Sequence, residues 1–176
     1  MHSRTKKIAY ILASLLIILF LYILLHEAGH LIVMLSAGAT ITDFSILTAH
    51  VSAVGGNYSD LSTLWLHANG AMFPVIVSFI YMLLYKKESK NSFYRIFSYA
   101  VSLVPICSLF AWVIIPFVYI RGNAPVNDDV TMFLLSFAQS DHPLIVSVAA
   151  VFMIAIGVVI MIKKGILKNF LLEIRE

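Results

Sequence analysis

The sequence predicts an all-α polytopic membrane protein with about four transmembrane helices and a short β-hairpin or re-entrant segment after the first helix. Of its 176 residues, 61% are hydrophobic and only 12% are charged, and the mean hydropathy of +0.95 is far above that of soluble domains. Four apolar segments approach the length of about 20 residues that a helix needs to cross a bilayer. Most charged residues fall between these segments. We therefore expect one membrane-embedded domain spanning residues 1–176.

The four predicted spans follow from long apolar runs. They cover about 8–37, 61–85, 96–120 and 144–162. Basic residues precede the first run, as they do in a secretory signal, but this run is longer than a signal's apolar region and contains an acidic residue. We interpret it as a retained span.

The basic residues predict the orientation of the spans. All of them except Arg121 lie before the first span, between the second and third spans, or after the fourth. Since Lys and Arg accumulate on the cytoplasmic side, both termini are predicted to be cytoplasmic, with the plasma membrane as the expected location. Anionic lipid head groups explain basic clusters beside apolar runs, so the expected partner is the bilayer and not a nucleic acid.

Two connecting segments have recognisable patterns of their own. Residues 40–54 are rich in Thr, Val, Ile and Ser and precede a Gly-Gly-Asn turn signal, which predicts the hairpin or re-entrant element. Residues 166–174 are amphipathic and are predicted either to lie along the cytoplasmic interface or to form a solvated end.

The first span contains an HExxH motif, His26-Glu27-Ala28-Gly29-His30. Residues four apart lie on one face of a helix, so both imidazoles can bind one Zn²⁺ ion, while Glu27 serves as general base toward the metal-activated water. An acidic side chain in the middle of a span costs about 2.5–3.5 kcal/mol even on insertion scales, so such groups are usually functional. The motif therefore predicts a metal site, with an unmetallated polar packing cluster as the alternative.

A third ligand is expected, because catalytic zinc usually has three protein ligands and one open position. His26 lies about 27 Å along the helix from the start of the predicted span, at 1.5 Å per residue, toward the non-cytoplasmic end. Asp128 and Asp129 follow the third span on the same predicted side. One of them is predicted as the third ligand, and Asp129 is preferred because Asn127 or Asp128 would cap a helix starting near Val130.

These residues resemble the site-2 protease family of intramembrane zinc proteases. In that family the first core helix carries HExxH, as His26, Glu27 and His30 do here, and the third core helix supplies an aspartate ligand. The resemblance implies a zinc metallopeptidase that hydrolyses a peptide bond in a membrane protein or peptide. It also implies a β-rich segment after the first core helix that presents an extended substrate, for which residues 40–54 are suitably placed.

The resemblance covers the first three spans, and two of its elements depart from the family pattern. The segment from Asn69 to Pro74 is a weak echo of the family's Gly-Pro-x-x-Asn pattern. The family's ligand pattern is Asp-Gly, whereas no glycine follows Asp128 or Asp129, so the resemblance does not choose between them. Well-studied relatives open toward the cytoplasm, whereas the charge pattern here points the site outward.

Three further polar residues, Asn69, His50 and His67, have predicted roles. Asn69 lies inside the second span and is predicted to hold a developing oxyanion or a substrate carbonyl, because a buried amide needs a partner. His50 and His67 are interpreted as structural or interfacial, with lining of the site as the alternative. The rival function is a non-proteolytic membrane protein that keeps a metal-binding core and acts as a regulator or binding partner.

Overall fold

The computed structural model describes residues 2–137 and 142–175. Its elements are α1 (His2–Ser36), β1 (Ala39–Ser45), β2 (His50–Gly55), α2 (Asp60–Leu83), α3 (Ser92–Ile120), α4 (Asp129–Ser136), α5 (Leu144–Lys163) and α6 (Ile166–Arg175). Among the described residues, α1, α2, α3 and α5 are long and apolar enough to cross a membrane. The predicted fold class is therefore confirmed, including the hairpin after the first helix.

Helix α1 is longer than the span predicted inside it. It runs for 35 residues and starts six positions before the apolar run, because the basic first turns continue the helix beyond the hydrophobic stretch. It ends where Gly38 adopts a φ of +78°, a conformation that glycine reaches without strain. Helix α1 packs against α2 and α3, and Ile18 is buried against Ala100 and Val101 of α3.

Side-chain caps begin both α2 and α3. The hydroxyl of Ser59 accepts a hydrogen bond from the backbone N–H of Ser62, and the side-chain oxygen of Asn91 accepts one from the N–H of Tyr94. The two helices are then joined within the bundle, where the Ser78 hydroxyl donates to the carbonyl of Val101 over 3.1 Å. The main core cluster lies where α2, α3, α4 and α5 meet.

The hairpin pairs β1 and β2 in an antiparallel register from Ala39 opposite Gly55 to Ser45 opposite His50. The register shifts between Ile41 and Asp43, which places an irregularity within β1. A two-stranded hairpin is marginal alone. This one lies against α1. Just beyond the two elements, the N–H of Asn57 donates to the carbonyl of Ala37 over 2.8 Å.

The three basic segments of the sequence share one end of the bundle. The ring of Tyr10, near the start of α1, lies 5.5 Å from that of Phe93 at the start of α3. From α6, Asn169 donates to the carbonyl of Lys87 in the α2–α3 connection. This arrangement agrees with the charge separation on which the orientation prediction depends, while the direction in which that end faces stays a prediction.

Candidate metal centre

Helix α1 brings the two histidines of the HExxH motif together. His26 and His30 lie one turn apart, their ring centroids are 4.8 Å apart, and their Nε2 atoms are 3.2 Å apart. Glu27, between them in sequence, is only 4% exposed, and it lines the same cavity as both histidines. One helical turn thus presents two imidazoles and a carboxylate to a common space.

Helix α4 supplies the third group, and its N-cap separates the tasks of the two aspartates. Oδ1 of Asp128 accepts hydrogen bonds from the N–H groups of Val130 at 3.0 Å and Thr131 at 3.3 Å. Asp129, the first residue of α4, points instead toward α1. Its Oδ2 lies 3.1 Å from Nε2 of His26 and 3.2 Å from Nε2 of His30. The structure therefore brings Asp129 into the cluster and uses Asp128 as the helix cap.

The backbone conformation just before α4 explains how Asp129 reaches α1, which lies far from it in sequence. Asn127 has a φ of +61°, in the left-handed region that asparagine tolerates better than most residues. The chain reverses there and directs α4 back into the bundle, where Val130 and Leu134 are buried in the main core cluster. This packing holds Asp129 against α1.

The three side chains fit a divalent metal ion. Their closest ligand atoms are separated by 3.1, 3.2 and 3.2 Å. In a tetrahedral zinc site with bonds of about 2.0–2.1 Å, ligand atoms lie about 3.3 Å apart. Two imidazoles and one carboxylate also match the ligand types of catalytic zinc sites. His26, His30 and Asp129 are thus a potential metal-binding triad, and this geometry alone does not name the ion.

Hydrogen bonding at His30 provides a second reason to expect a cation. Nδ1 of His30 lies 2.7 Å from the carbonyl oxygen of Leu66, which only accepts, so Nδ1 carries the proton. In the neutral ring, Nε2 then presents a lone pair to the Asp129 carboxylate. Two lone pairs at 3.2 Å repel each other unless a positive charge lies between them. A proton or a metal ion satisfies this requirement.

The ionisation state of Asp129 suits either cation. Burial raises the pKa of the Asp129 carboxyl, but hydrogen bonds from His26 and His30 and their positive charge outweigh burial and hold that pKa well below its ordinary range. The carboxylate is therefore ionised at neutral pH, as a ligand must be.

The two histidines are held differently. Nδ1 of His30 is hydrogen-bonded to the carbonyl of Leu66, whereas Nδ1 of His26 is buried without a hydrogen-bond partner among the described residues.

Two glycines let α1 and α2 cross close to the metal centre. A methyl group at Gly29 would overlap the backbone oxygen of Asn69. A methyl group at Gly70 would lie 2.5 Å from Nε2 of His30 and 2.8 Å from Cε1 of His26. The side chain of Asn69 joins the same crossing, since its Nδ2 donates to the carbonyl of Gly29 over 2.7 Å. The α2 backbone thus forms a wall against both imidazoles.

A polar cavity of about 510 Å³ opens in front of the triad. Its lining includes His26, Glu27, His30, Met34, Ala49, His50, Val51, Leu66, His67, Asn127, Asp128 and Asp129. His50 and His67 both line this cavity, so their positions match the alternative interpretation, in which they line the site. Asn69 is engaged at the helix crossing, and its predicted oxyanion role stays a prediction.

Sequence reasoning missed the backbone contributions to the site. The carbonyl of Leu66 and the absent side chain of Gly70 carry no motif that identifies them. The only available signal was the pair of glycines, one inside HExxH and one after Asn69, since helix-interior glycines often mark close helix approach.

Comparison with protein-family models, curated proteins and solved structures finds no match to this chain. The class of the protein therefore follows from its own fold and site. It is a membrane protein whose described residues include four candidate spans and a potential metal centre formed by two histidines and an aspartate.

Proposed function

We propose that this protein is a zinc-dependent endopeptidase that hydrolyses a peptide bond within or beside the membrane, in the manner of the site-2 protease family that its motif resembles. One observation carries the proposal. The ligand atoms of His26, His30 and Asp129 converge at the wall of a polar cavity that Glu27 also lines. A purely structural polar cluster would not need a general base beside an accessible space.

Each residue of the centre has a distinct task in this proposal. His26, His30 and Asp129 hold the zinc ion, which when bound supplies a Lewis acid for the scissile carbonyl and acidifies water. Glu27 accepts a proton from the attacking water and passes it to the amine that leaves as the C–N bond breaks. Because Glu27 shares a helical turn with two ligands, its carboxylate keeps a fixed position relative to them.

The remaining polar residues of the cavity are the proposed substrate contacts. His67 follows Leu66, whose carbonyl orients His30, so the imidazole of His67 is attached to the same rigid turn of α2. We assign it to hydrogen bonding with the substrate carbonyl or its developing oxyanion. His50 begins β2 and also lines the cavity, so an extended substrate strand adding to this hairpin would reach the centre.

The proposed location is the plasma membrane, with both termini in the cytoplasm. The three basic segments at one end of the bundle support this orientation through the excess of Lys and Arg on the cytoplasmic side. The cavity would then open nearer the outer face.

The test compares new protein N-termini in cells that express the wild type or Glu27→Gln. We expect a set of cleaved membrane proteins, with cuts in or beside their spans, that depends on Glu27. Loss of the general base should slow cleavage by about 10²–10⁴-fold. Purified Glu27→Gln protein should keep its metal, because the three ligands are unchanged.

Two outcomes would contradict the proposal. If Glu27→Gln cells showed the same cleaved N-termini as the wild type, the residue would have no part in proteolysis. If neither protein produced any cleavage while both retained stoichiometric metal, the non-proteolytic alternative, a metal-binding regulator or binding partner, would replace the enzyme.

A further inference from the structure

Helix α6 carries both polar and apolar residues on its buried side, and both charged and apolar residues on its exposed side. Asn169 and Glu173 are 7% and 6% exposed, and with Ile166 they form one face at intervals of three and four residues. Leu171 and Leu172 on the other side are 36% and 43% exposed. The exposed side therefore combines leucines with basic residues, which is the composition of a helix that lies in a membrane interface.

Two buried polar side chains fix the orientation of α6. Nδ2 of Asn169 donates to the hydroxyl of Tyr85 at 2.9 Å and to the carbonyl of Lys87 at 2.8 Å. Arg95 forms an ion pair with the buried carboxylate of Glu173 at 3.4 Å. The α2–α3 connection thus supplies the partners of Asn169, and α3 supplies the partner of Glu173. Rotating α6 to bury its leucines would remove the partners of the Glu173 carboxylate and the Asn169 amide. Losing these hydrogen bonds would cost free energy, so the rotated arrangement is disfavoured.

The position of α6 places its exposed side at the membrane surface. The helix follows α5, one of the candidate spans, after a turn at Gly165, whose φ is +75°. Its start therefore lies at the depth where a span ends. An amphipathic helix at this depth lies in the interface, with leucines directed toward acyl chains.

A groove on this exposed side combines apolar and cationic groups. It has a volume of about 370 Å³ and is lined by Ile162, Leu167, Lys168, Leu171, Leu172 and Arg175. Lys168 and Arg175 are seven residues apart and so lie on one face of α6, with Leu171 and Leu172 between them. Two cations beside a leucine-lined groove that continues from a span match the phosphate and acyl chain of one phospholipid.

We propose that α6 lies in the membrane interface and that this groove binds an anionic phospholipid, with its phosphate between Lys168 and Arg175. The site lies at the basic end of the bundle and does not depend on the proposed proteolysis. Charge complementarity favours an anionic lipid, and the adjoining span favours a lipid over an acidic protein.

Native mass spectrometry of the purified protein with phosphatidylglycerol or phosphatidylcholine tests lipid binding. We expect preferential retention of phosphatidylglycerol by the wild type. The double variant Lys168→Gln/Arg175→Gln should lose on the order of 30-fold in this binding, since each cation near an anionic surface contributes about fivefold. The matched control Lys86→Gln/Lys90→Gln removes the same charge from the α2–α3 connection and should retain the lipid.

Equal losses in the two double variants would reduce the effect to general electrostatics and overturn the site. Equal retention of the two lipids by the wild type would do the same, and would leave an acidic protein as the partner to seek.

Spin labels test the placement of α6 separately. In a Cys107→Ser background, a label at Leu172→Cys should be accessible to oxygen and shielded from a water-soluble nickel chelate, as should one at Leu16→Cys on the exposed side of α1. If the label at 172 were as accessible to the chelate as a label in water, α6 would not lie in the interface.

Discussion

The side-chain amide of Asn69 donates a hydrogen bond to the backbone carbonyl of Gly29, inside the HExxH turn, over 2.7 Å. This bond joins α2 to α1 at the position where a side chain on Gly29 would overlap the Asn69 backbone. The crossing point of the two helices is therefore also the turn that carries His26, Glu27 and His30. The arrangement of the candidate ligands and the packing of the two helices therefore depend on the same contact.

Asn69→Ala should lower stability more clearly than it lowers activity. Removing this donor leaves the Gly29 carbonyl without its interhelical partner, and such bonds contribute about 1 kcal/mol. We expect a loss of that size in unfolding experiments in micelles, with metal retained and activity reduced less than tenfold.

The control for this variant is Ser78→Ala, which removes a similar bond from α2 to the carbonyl of Val101 away from the site. If Asn69→Ala were as stable as Ser78→Ala but lost 10²–10³-fold in kcat, the result would instead support the oxyanion role that the sequence predicted.

Gly70→Ala should displace the metal ligands. The added methyl group would lie 2.5 Å from Nε2 of His30, so the imidazole must move away from its partners. We expect loss of bound metal, measured by elemental analysis of the purified protein.

Gly157→Ala is the matched comparison for that variant. Its methyl group would also meet a side-chain atom at 2.5 Å, but that atom is the flexible end of Ile106 in the bundle. It should lower stability by about 1–3 kcal/mol, as overpacking does, and leave metal content unchanged. Metal loss in both variants would show that general packing, and not contact with the imidazole, controls the site.

Asp129→Asn and Asp128→Asn should separate ligation from capping. The first variant removes the anionic ligand and should lose stoichiometric metal, as His26→Ala and His30→Ala should. The second keeps an N-cap of similar strength, because asparagine caps helices about as well as aspartate. It should retain both metal and stability.

Elemental analysis of these purified variants measures both how much metal each one holds and which ion it is. Zinc in the wild type and Asp128→Asn supports the proposed cofactor. Iron in both would contradict it, since two histidines and one carboxylate also form iron sites. Full metal occupancy in Asp129→Asn would remove Asp129 from the ligand set.

His67→Phe should reduce kcat/KM on a substrate identified from the Glu27-dependent cleavages. The phenyl ring keeps the shape of the side chain and removes its hydrogen bonds, so we expect a loss of about 10²-fold or more with metal content and stability retained. Trp65→Phe, on the exposed side of α2, is the control and should have near wild-type activity. Unchanged kcat/KM in His67→Phe would exclude it from substrate contact.

Much of this protein could be predicted from its sequence because lipid imposes simple rules. Runs of apolar residues long enough to cross a bilayer must form helices, which satisfy their own backbone hydrogen bonds, and all four such runs do. The ends of the helices were predicted less accurately, because hydropathy indicates which residues can contact lipid and not where a helix begins or ends. Helix α1 therefore begins at His2, outside its apolar run.

The sequence by itself determined the chemistry that is available. HExxH on a helix places His26, Glu27 and His30 within one turn because four residues make about one turn of helix. Capping preferences also favoured Asn127 or Asp128 as the cap, which made Asp129 the preferred ligand.

Only the tertiary structure decided which groups meet. The reversal at Asn127 brings Asp129 to α1, and the carbonyl of Leu66 orients His30. Asn169 and Glu173 of α6 turn inward toward the α2–α3 connection and α3. These outcomes depend on backbone atoms and on contacts between residues far apart in the chain. Neither is encoded in a local pattern, because a carbonyl group has the same chemistry in every residue and acquires a role only from its position.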